Sequence, residues 1–270
     1  MRKHKRITSL ILFSVLCVSL ILPSCGKGER LEVVSDDFPK LRYLEAGDFD
    51  EDQADRIDAP DFELNNMYYV SEKDGKLFIY NGRTEYSYSS RRDSYMVHLN
   101  SIGYFVGINM GEFGGWLRYY EGKPFYNNEE GILVADSNCL GYQQATFDKL
   151  FMFVGDVAHL FTKGRTEIYL MESDDKKWTW RPIGEVDGAY RGVSCYDKES
   201  ETLYMVTHTG IYAVDKNEKL SSFAVPDYFG DLIANSATVI DGVLYIGSWC
   251  GIYAQPIDGS ASTWYPLSPY

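Results

Sequence analysis

From Asn66 onward, the chain alternates short apolar and aromatic runs with turns rich in Gly, Asn and Asp. No long segment has the 3.6-residue period of an amphipathic helix. Apolar runs of strand length between turn residues are typical of all-β proteins. Aromatic residues, which favour strands, make up 15% of the chain and include 22 Tyr. The pattern therefore predicts an all-β domain over residues 64–270.

An internal repeat organises this domain. Segments 203–206 and 210–213 have close copies at 244–247 and 251–254, an offset of 41 residues. A period of about 40–45 residues is typical of β-propeller blades, which are four-stranded sheets placed radially around an axis. Weaker copies of the first segment occur at 67–70, 104–107 and 150–153.

Each copy can be divided into four strands. In the last copy, the strands are 236–240, the two repeated segments and 263–267, with a first turn at Asp241 and Gly242. A blade buries both of its faces only when neighbouring blades stack on it. The five copies therefore predict a five-bladed β-propeller. The first copy lacks a clear innermost strand, and we expect another part of the chain to supply it.

The segment before the propeller is acidic. Residues 36–63 contain eleven acidic and three basic side chains. Asp48, Asp50 and Asp52 alternate as they do at the start of an EF-hand loop, but Gln53 and Ala59 stand where that loop requires Gly and Glu. We interpret this segment as a solvated acidic tether and not as a calcium site.

The amino terminus has the pattern of a secretory signal. Four basic residues lie within the first six, and an apolar run follows over 7–22. This run is shorter than the about 20 apolar residues of a comfortable membrane span. Segment 22–25, ending in Cys25, resembles the lipobox of bacterial lipoproteins, with Pro23 at a position where smaller residues are more usual.

This resemblance implies that residues 1–24 are removed and that Cys25 receives a diacylglyceryl group and a further acyl chain. Two buried acyl chains already give stable anchoring. The mature chain is then a lipidated tether, 25–63, followed by the propeller, and its contact with the membrane is the lipid on Cys25. Gly26 is not an inner-membrane retention Asp, which favours the outer membrane of the cell envelope.

Two hairpins resemble the Asp-box, S-x-D-x-G-x-T-W, of sialidase-like propellers. The matching residues are Ser173, Asp175, Thr179 and Trp180, with Lys177 at the Gly position, and a looser copy consists of Asp258, Thr263 and Trp264. In that family the box is structural. The resemblance implies that Ser and Asp hold the outer turn and that Trp packs between blades, so it concerns fold and not activity.

Charge and cysteine content limit the partners. The formal net charge is −13 and becomes more negative once the basic signal is removed, which argues against nucleic acid as a partner. Beyond the signal and Cys25, the cysteines are Cys139, Cys195 and Cys250, whose spacing matches no zinc or redox motif. Free thiols and one disulfide, such as Cys139 with Cys250, both remain open.

No motif for a common catalytic or cofactor site occurs in the sequence. His98, His159 and His208 are too scattered to predict a metal site, so neither a metal nor a cofactor is expected. The sequence favours a non-catalytic module that binds a protein or a glycan of the envelope. A glycosidase or lyase acting on polysaccharide is the alternative, because 39 acidic residues make some carboxylate pair inevitable.

Ligands of propellers usually meet the face built by the loops between second and third strands and the loops between blades. The candidate ligand-binding residues on this face are Asn109, Glu112, Asp156, His159, Arg191, His208 and Trp249. An exposed Trp among polar groups is typical of a sugar or peptide site. Trp249 can equally pack inward at the end of its blade.

Overall fold

The computed structural model describes residues 67–73, 75–82, 93–98, 102–122, 131–157, 164–174, 176–249 and 251–266. These segments form eighteen β-strands and two short 3-10 turns, and they contain no α-helix. The prediction of an all-β domain is therefore confirmed. The predicted signal, Cys25 and the acidic tether lie outside the described residues and stay predictions, as does the domain boundary at residue 64.

The strands form five antiparallel sheets. The first has two described strands, β1 (Met67–Lys73) and β2 (Lys76–Gly82). The second contains β3 (Asp93–His98), β4 (Gly103–Asn109), β5 (Gly115–Glu121) and β6 (Ile132–Ala135). The third contains β7 (Asn138–Gln144), β8 (Lys149–Val157), β9 (Gly164–Ser173) and β10 (Trp178–Asp187).

The fourth sheet contains β11 (Tyr190–Asp197), β12 (Thr202–Thr207), β13 (Ile211–Val214) and β14 (Leu220–Phe223). The fifth contains β15 (Ser236–Ile240), β16 (Val243–Ser248), β17 (Gly251–Pro256) and β18 (Thr263–Pro266). In all four complete sheets the strands lie side by side in chain order. This is the four-strand pattern that the repeat predicts, and these sheets are the blades of a β-propeller.

Local turn chemistry sets the first hairpin of the last blade. Asp241 and Gly242 both have positive φ, at 48° and 77°. A two-residue turn of this kind matches the twist of antiparallel strands and joins β15 directly to β16.

The core consists of layers between consecutive sheets. Adjacent residues of one middle strand enter different layers because successive side chains point to opposite faces. Met152 of β8 packs toward the second sheet, whereas Phe153 packs toward the fourth. Met205 and Val206 of β12 divide in the same way between the third and fifth sheets. Each middle strand is therefore apolar on both faces.

The first and last sheets pack together, so that β1 brings the two ends of the described chain into contact. Tyr68, Val70 and Ile79 form a buried core with Ile252 and Tyr265 of the fifth sheet. The amide of Val70 donates a hydrogen bond to Ser236 Oγ at 2.9 Å. The last blade therefore has a neighbour on each face.

The contacts of β1 correct one expectation from the sequence, which placed 67–70 as a second strand. Gly107 of β4 lies against Cys139 of β7, the innermost strand of the next sheet. Gly247, at the matching position of β16, lies against the carbonyl of Tyr68 in β1. Thus β1 takes the innermost place in its sheet, and β2 is the next strand outward. The count of five blades stays a prediction, because residues 83–92 are not among those described.

Candidate functional site

The loop that joins β4 to β5 is fixed by amide side chains. Asn138 Oδ1 accepts a hydrogen bond from the Met110 amide at 3.0 Å, and Asn138 Nδ2 donates to the Gly111 carbonyl at 2.8 Å. Asn109 Oδ1 accepts from the Gly111 amide at 2.9 Å. Asn109, proposed from the sequence as a ligand contact, therefore accepts a hydrogen bond from its own loop.

This fixed loop presents an apolar side chain to solvent. Phe113 lies in the 3-10 turn Gly111–Phe113 and is 81% exposed. Gly111 and Gly114 flank it with φ of 63° and 85°, a region that favours glycine. The backbone of Glu112 is part of the same turn. The sequence placed the Phe113 loop on this face, but Phe113 is not among the candidate ligand contacts, because sequence alone does not distinguish an exposed loop Phe from a buried one.

Asp156 is the next-to-last residue of β8. Strand β8 contacts the turn Gly111–Phe113, and Asp156 is exposed. The structure thus brings Asp156 and the Phe113 loop to the same face. His159 falls in segment 158–163, which lies outside the described residues.

Arg191 and His208, two further candidates, contact each other. Arg191 Nη2 donates hydrogen bonds to His208 Nδ1 and, at 2.9 Å, to the carbonyl of Gly230. Gly230 belongs to the second 3-10 turn, Asp227–Asp231, which leads to the fifth sheet. Arg191 therefore links the start of β11, the loop after β12 and the connection between two blades.

The pKa of His208 is lowered from its ordinary value, first by burial and then by the positive charge of Arg191, while Asp231 acts in the opposite direction. Neutral His208 can accept the hydrogen bond from Arg191 at Nδ1, whereas the imidazolium cannot. The pair is thus a neutral–cation contact that protonation opposes. The structure gives these two candidates a bracing role between blades.

Trp249 follows β16 in the loop that leads to β17. Its side chain is half-buried, and its indole nitrogen is buried. The turn itself is held by Ser248, whose hydroxyl donates to the Gly251 carbonyl at 3.1 Å. Of the two alternatives for Trp249, the burial of its polar edge favours packing over contact with a ligand.

The first Asp-box hairpin, between β9 and β10, uses a different residue at its turn. Asp174 Oδ1 accepts hydrogen bonds from the amides of Lys176 and Lys177, at 3.2 and 3.0 Å. These bonds lower the pKa of Asp174. Asp174 thus supplies a carboxylate to this turn, while Asp175 is not among the described residues and its role in the turn stays a prediction.

The tryptophans of this hairpin do pack between blades. Trp180 is half-buried, with ring centroids 5.2 Å from Tyr119 and 6.2 Å from Phe105 of the second sheet. Trp178, which was not a candidate, is more deeply buried at 3% exposure. Thr179 is exposed, and its hydroxyl donates to the Glu172 carbonyl at 3.3 Å. The amide of Ser173 donates to the Asp148 carbonyl at 2.9 Å.

The second hairpin of the Asp-box resemblance joins β17 to β18. Asp258 Oδ1 accepts from the Ser260 amide at 2.8 Å, which holds the turn. Trp264 is buried in the core between the fourth and fifth sheets. Thr263 begins β18 opposite Ala254.

A cleft that the sequence did not predict lies between the third and fourth sheets. Its volume is about 280 Å³. The lining residues are Glu185, Val186 and Asp187 of β10, Tyr212 of β13, and Leu220, Ser221 and Ser222 of β14. The cleft depends on how two blades approach each other, and that distance has no signature in either strand alone.

Neither cysteine among the described residues has a reactive thiol. Cys139 and Cys195 are free thiols in the structure, so Cys139 is not in the disulfide considered from the sequence. Burial raises the pKa of both to about 12. Across the described residues, no three His, Cys, Asp or Glu side chains gather as metal ligands. The same residues include no helix long and apolar enough to span a bilayer.

The chain was compared with known proteins. No family model matches it. A search of curated proteins likewise finds no match. Solved structures with related folds include the extracellular domain of a hybrid two component system from B. thetaiotaomicron, at 14% identity and a TM-score of 0.41, over 68% of this chain and 23% of that one.

The Dos1 propeller matches at 9% identity and a TM-score of 0.44, over 76% of this chain and 56% of that one. Virginiamycin B lyase from Staphylococcus aureus matches at 8% identity and a TM-score of 0.33, over 76% and 86%. The match therefore spans about a quarter of the first of these structures and just over half of the second. The arrangement of its own sheets defines this chain as a β-propeller, and its function has to be argued from its own residues.

Proposed function

We propose that this chain is a lipid-anchored protein of the bacterial cell envelope whose propeller is a non-catalytic module that binds a protein partner. The contact is made by the loop face that carries Phe113 and Asp156. The observation that carries this proposal is the 81% exposure of Phe113 on a loop whose backbone is fixed by hydrogen bonds.

Exposure of one large apolar side chain is common on protein surfaces. The fixed backbone sets Phe113 apart. The Met110 amide bonds both to Asn138 Oδ1 and to the Gly114 carbonyl, each at 3.0 Å, and Asn138 is only 2% exposed. An aromatic side chain on a rigid support loses little backbone entropy when a partner covers it. Such side chains are frequent binding hot spots.

Charge near the loop indicates the kind of surface that fits. Asp156 is exposed beside the turn that holds Phe113, and the chain is strongly acidic overall. Complementary charge speeds association and selects partners. We therefore expect a partner with an apolar pocket for Phe113, bordered by basic residues. Arg191 and His208 add rigidity by bracing two blades.

The anchor is supported by the signal pattern and by Cys25 at the end of the lipobox-like segment. Lipid on Cys25 would hold the binding module at the membrane, with the acidic segment 25–63 as spacer. Metabolic labelling with a palmitate analogue tests this part. The native chain should be labelled and Cys25→Ala should not, and undiminished labelling of Cys25→Ala would contradict the anchor.

The binding face is tested with two exposed phenylalanines. Phe147 is 64% exposed in the turn between β7 and β8, at the opposite end of the blade from Phe113. The full chain is purified from envelopes after crosslinking, as native protein, Phe113→Ser and Phe147→Ser, with thermal melts of each. We expect Phe113→Ser to lose at least about tenfold of the crosslinked partner, a hot-spot effect, and Phe147→Ser to keep it. Equal recovery with both variants would refute the loop face as the site.

A further inference from the structure

The cleft between the third and fourth sheets is bounded by polar contacts that join its two walls. At the end of the cleft near the loop after β12, the hydroxyls of Thr207 and Thr209 both donate hydrogen bonds to the Asp187 carbonyl, at 3.0 and 2.9 Å. Farther down β10, Arg181 forms a two-pronged ion pair with Glu218 in the turn before β14. Both links join β10 to the next blade, so the gap between them is a fixed feature of the fold.

The lower limit of the cleft is an apolar contact. A Cβ atom at Gly184 would lie 3.2 Å from Leu220 Cδ2, so β10 and β14 nearly touch there. Above this point the walls separate around buried Val186 and half-buried Tyr212. The Tyr212 ring lies over Gly210, with Cε2 at 3.6 Å from the position of a Cβ. The cleft thus has a mostly polar lining, with Val186 at its floor and the Tyr212 ring on one wall.

Polar groups surround this floor. Ser221 and Ser222 are exposed on the β14 side. On the other side, β10 is the edge strand of its sheet, and an edge strand presents backbone N–H and C=O groups outside the ladder. Hydroxyl, amide and carbonyl groups around an apolar surface match a sugar ring, which carries hydroxyls at its rim and C–H groups on its faces.

The acidic lining of the cleft argues against an anionic ligand. The lining includes Glu185 and Asp187 and has no basic residue. The arginines of β9 and β10 already have carboxylate partners: Arg165 pairs with Glu185 at 3.2 Å, and Arg181 pairs with Glu218. A phosphate or acidic sugar would meet the negative charge of Asp187 and no basic residue in the lining.

An extended peptide pairing with the edge of β10 fits less well. The register of β10 shifts between Pro182 and Gly184, and Pro182 supplies no backbone N–H. Proline and bulges are the features that block strand addition at sheet edges. The volume of about 280 Å³ lies just below the usual range of ligand sites, so it suits one ring and not a chain of them.

We infer that the cleft between β10 and β13–β14 is a binding site for a single neutral monosaccharide unit, separate from the loop face. Tyr212 provides the stacking surface and Ser222 lies on the polar wall. The test uses the full chain in detergent and saturation-transfer NMR with a panel of methyl glycosides of neutral hexoses, 6-deoxyhexoses and N-acetylhexosamines. At least one glycoside should bind the native chain.

Two matched variants locate the site. Ser222→Trp fills the cleft and should weaken binding of that glycoside at least about tenfold. Ser260→Trp places the same side chain at an exposed serine of the last blade and should leave binding unchanged. Tyr212→Leu, which keeps an apolar side chain over Gly210, should weaken binding at least about fivefold even if Ser222→Trp folds poorly. Phe113→Ser should bind the glycoside as the native chain does, so this site and the loop face fail independently.

Three results would overturn the inference: no neutral glycoside binds the native chain, binding survives in both Ser222→Trp and Tyr212→Leu, or Ser260→Trp loses it equally. Binding of an extended peptide library that Ser222→Trp abolishes, without glycoside binding, would assign the cleft to peptide and also overturn it.

Discussion

Gly247→Ala should separate β1 from the last blade. A Cβ atom at Gly247 would lie 2.3 Å from the carbonyl oxygen of Tyr68 and 2.5 Å from Ser236 Oγ. The first of these is backbone of β1, so it cannot turn away as a side chain does. Ordinary contact begins near 3.4 Å, and β1 has to retreat by about 1 Å.

The loss of stability caused by this displacement follows from the contacts that β1 makes. A gap of 0.5–1 Å removes roughly a quarter to a half of the dispersion energy of an interface, here the core of Tyr68 and Val70 with Ile252. The bond from the Val70 amide to Ser236 Oγ at 2.9 Å also lengthens, at about 1 kcal/mol. With the usual 1–3 kcal/mol of overpacking, the free energy of unfolding should fall by about 2–4 kcal/mol. The Tm should fall by at least about 4 °C.

Urea unfolding measures the stability change, and hydrogen exchange at the Val70 amide measures the retreat itself. The matched control is Gly210→Ala, where a Cβ meets nothing closer than 3.6 Å, so its stability should change by less than about 1 kcal/mol. Equal stability of both variants would refute the closure of the fold by β1. Loss of stability in Gly247→Ala without faster exchange at Val70 would show that the clash is relieved within the last blade instead.

Two further changes test the packing and the brace. Trp264→Ala should cost about 3–5 kcal/mol in urea unfolding, because Trp264 is buried between blades, and half-buried Trp249→Ala should cost less; the reverse order would contradict these placements. The lowered pKa of His208 means that the unfolded chain binds its proton first, so stability should fall as pH drops below about 6.5. His208→Asn keeps an acceptor for Arg191 without a titrating group and should flatten that slope, measured by melts from pH 7 to 5; an unchanged slope would assign it to other groups.

The sequence was sufficient for what depends on neighbouring residues. Hairpins such as β15–β16 follow from alternation and from turn residues, so the turn at Asp241 and Gly242 was placed correctly. The place of β1 was not predictable in this way, because it depends on contacts with a blade that lies more than 160 residues later. The sequence also did not predict that Asp174 accepts two hydrogen bonds in the outer turn, because backbone geometry selects the acceptor and two neighbouring aspartates are chemically equivalent in sequence.

The candidate site shows more clearly what sequence alone cannot predict. Arg191 and His208 were chosen because polar residues in converging loops can reach a ligand; the structure shows that they contact each other, and their role toward a ligand stays a prediction. A polar side chain is available to a ligand only when the fold leaves it without a better partner, and that depends on distances between segments that the sequence does not give.

The same reasoning applies to the cleft. Its walls are set by links between Arg181 and Glu218 and between Asp187 and Thr209, each pair more than 20 residues apart. Sites between blades therefore have to be sought in the packing of the blades, because the pattern of a single strand does not reveal them.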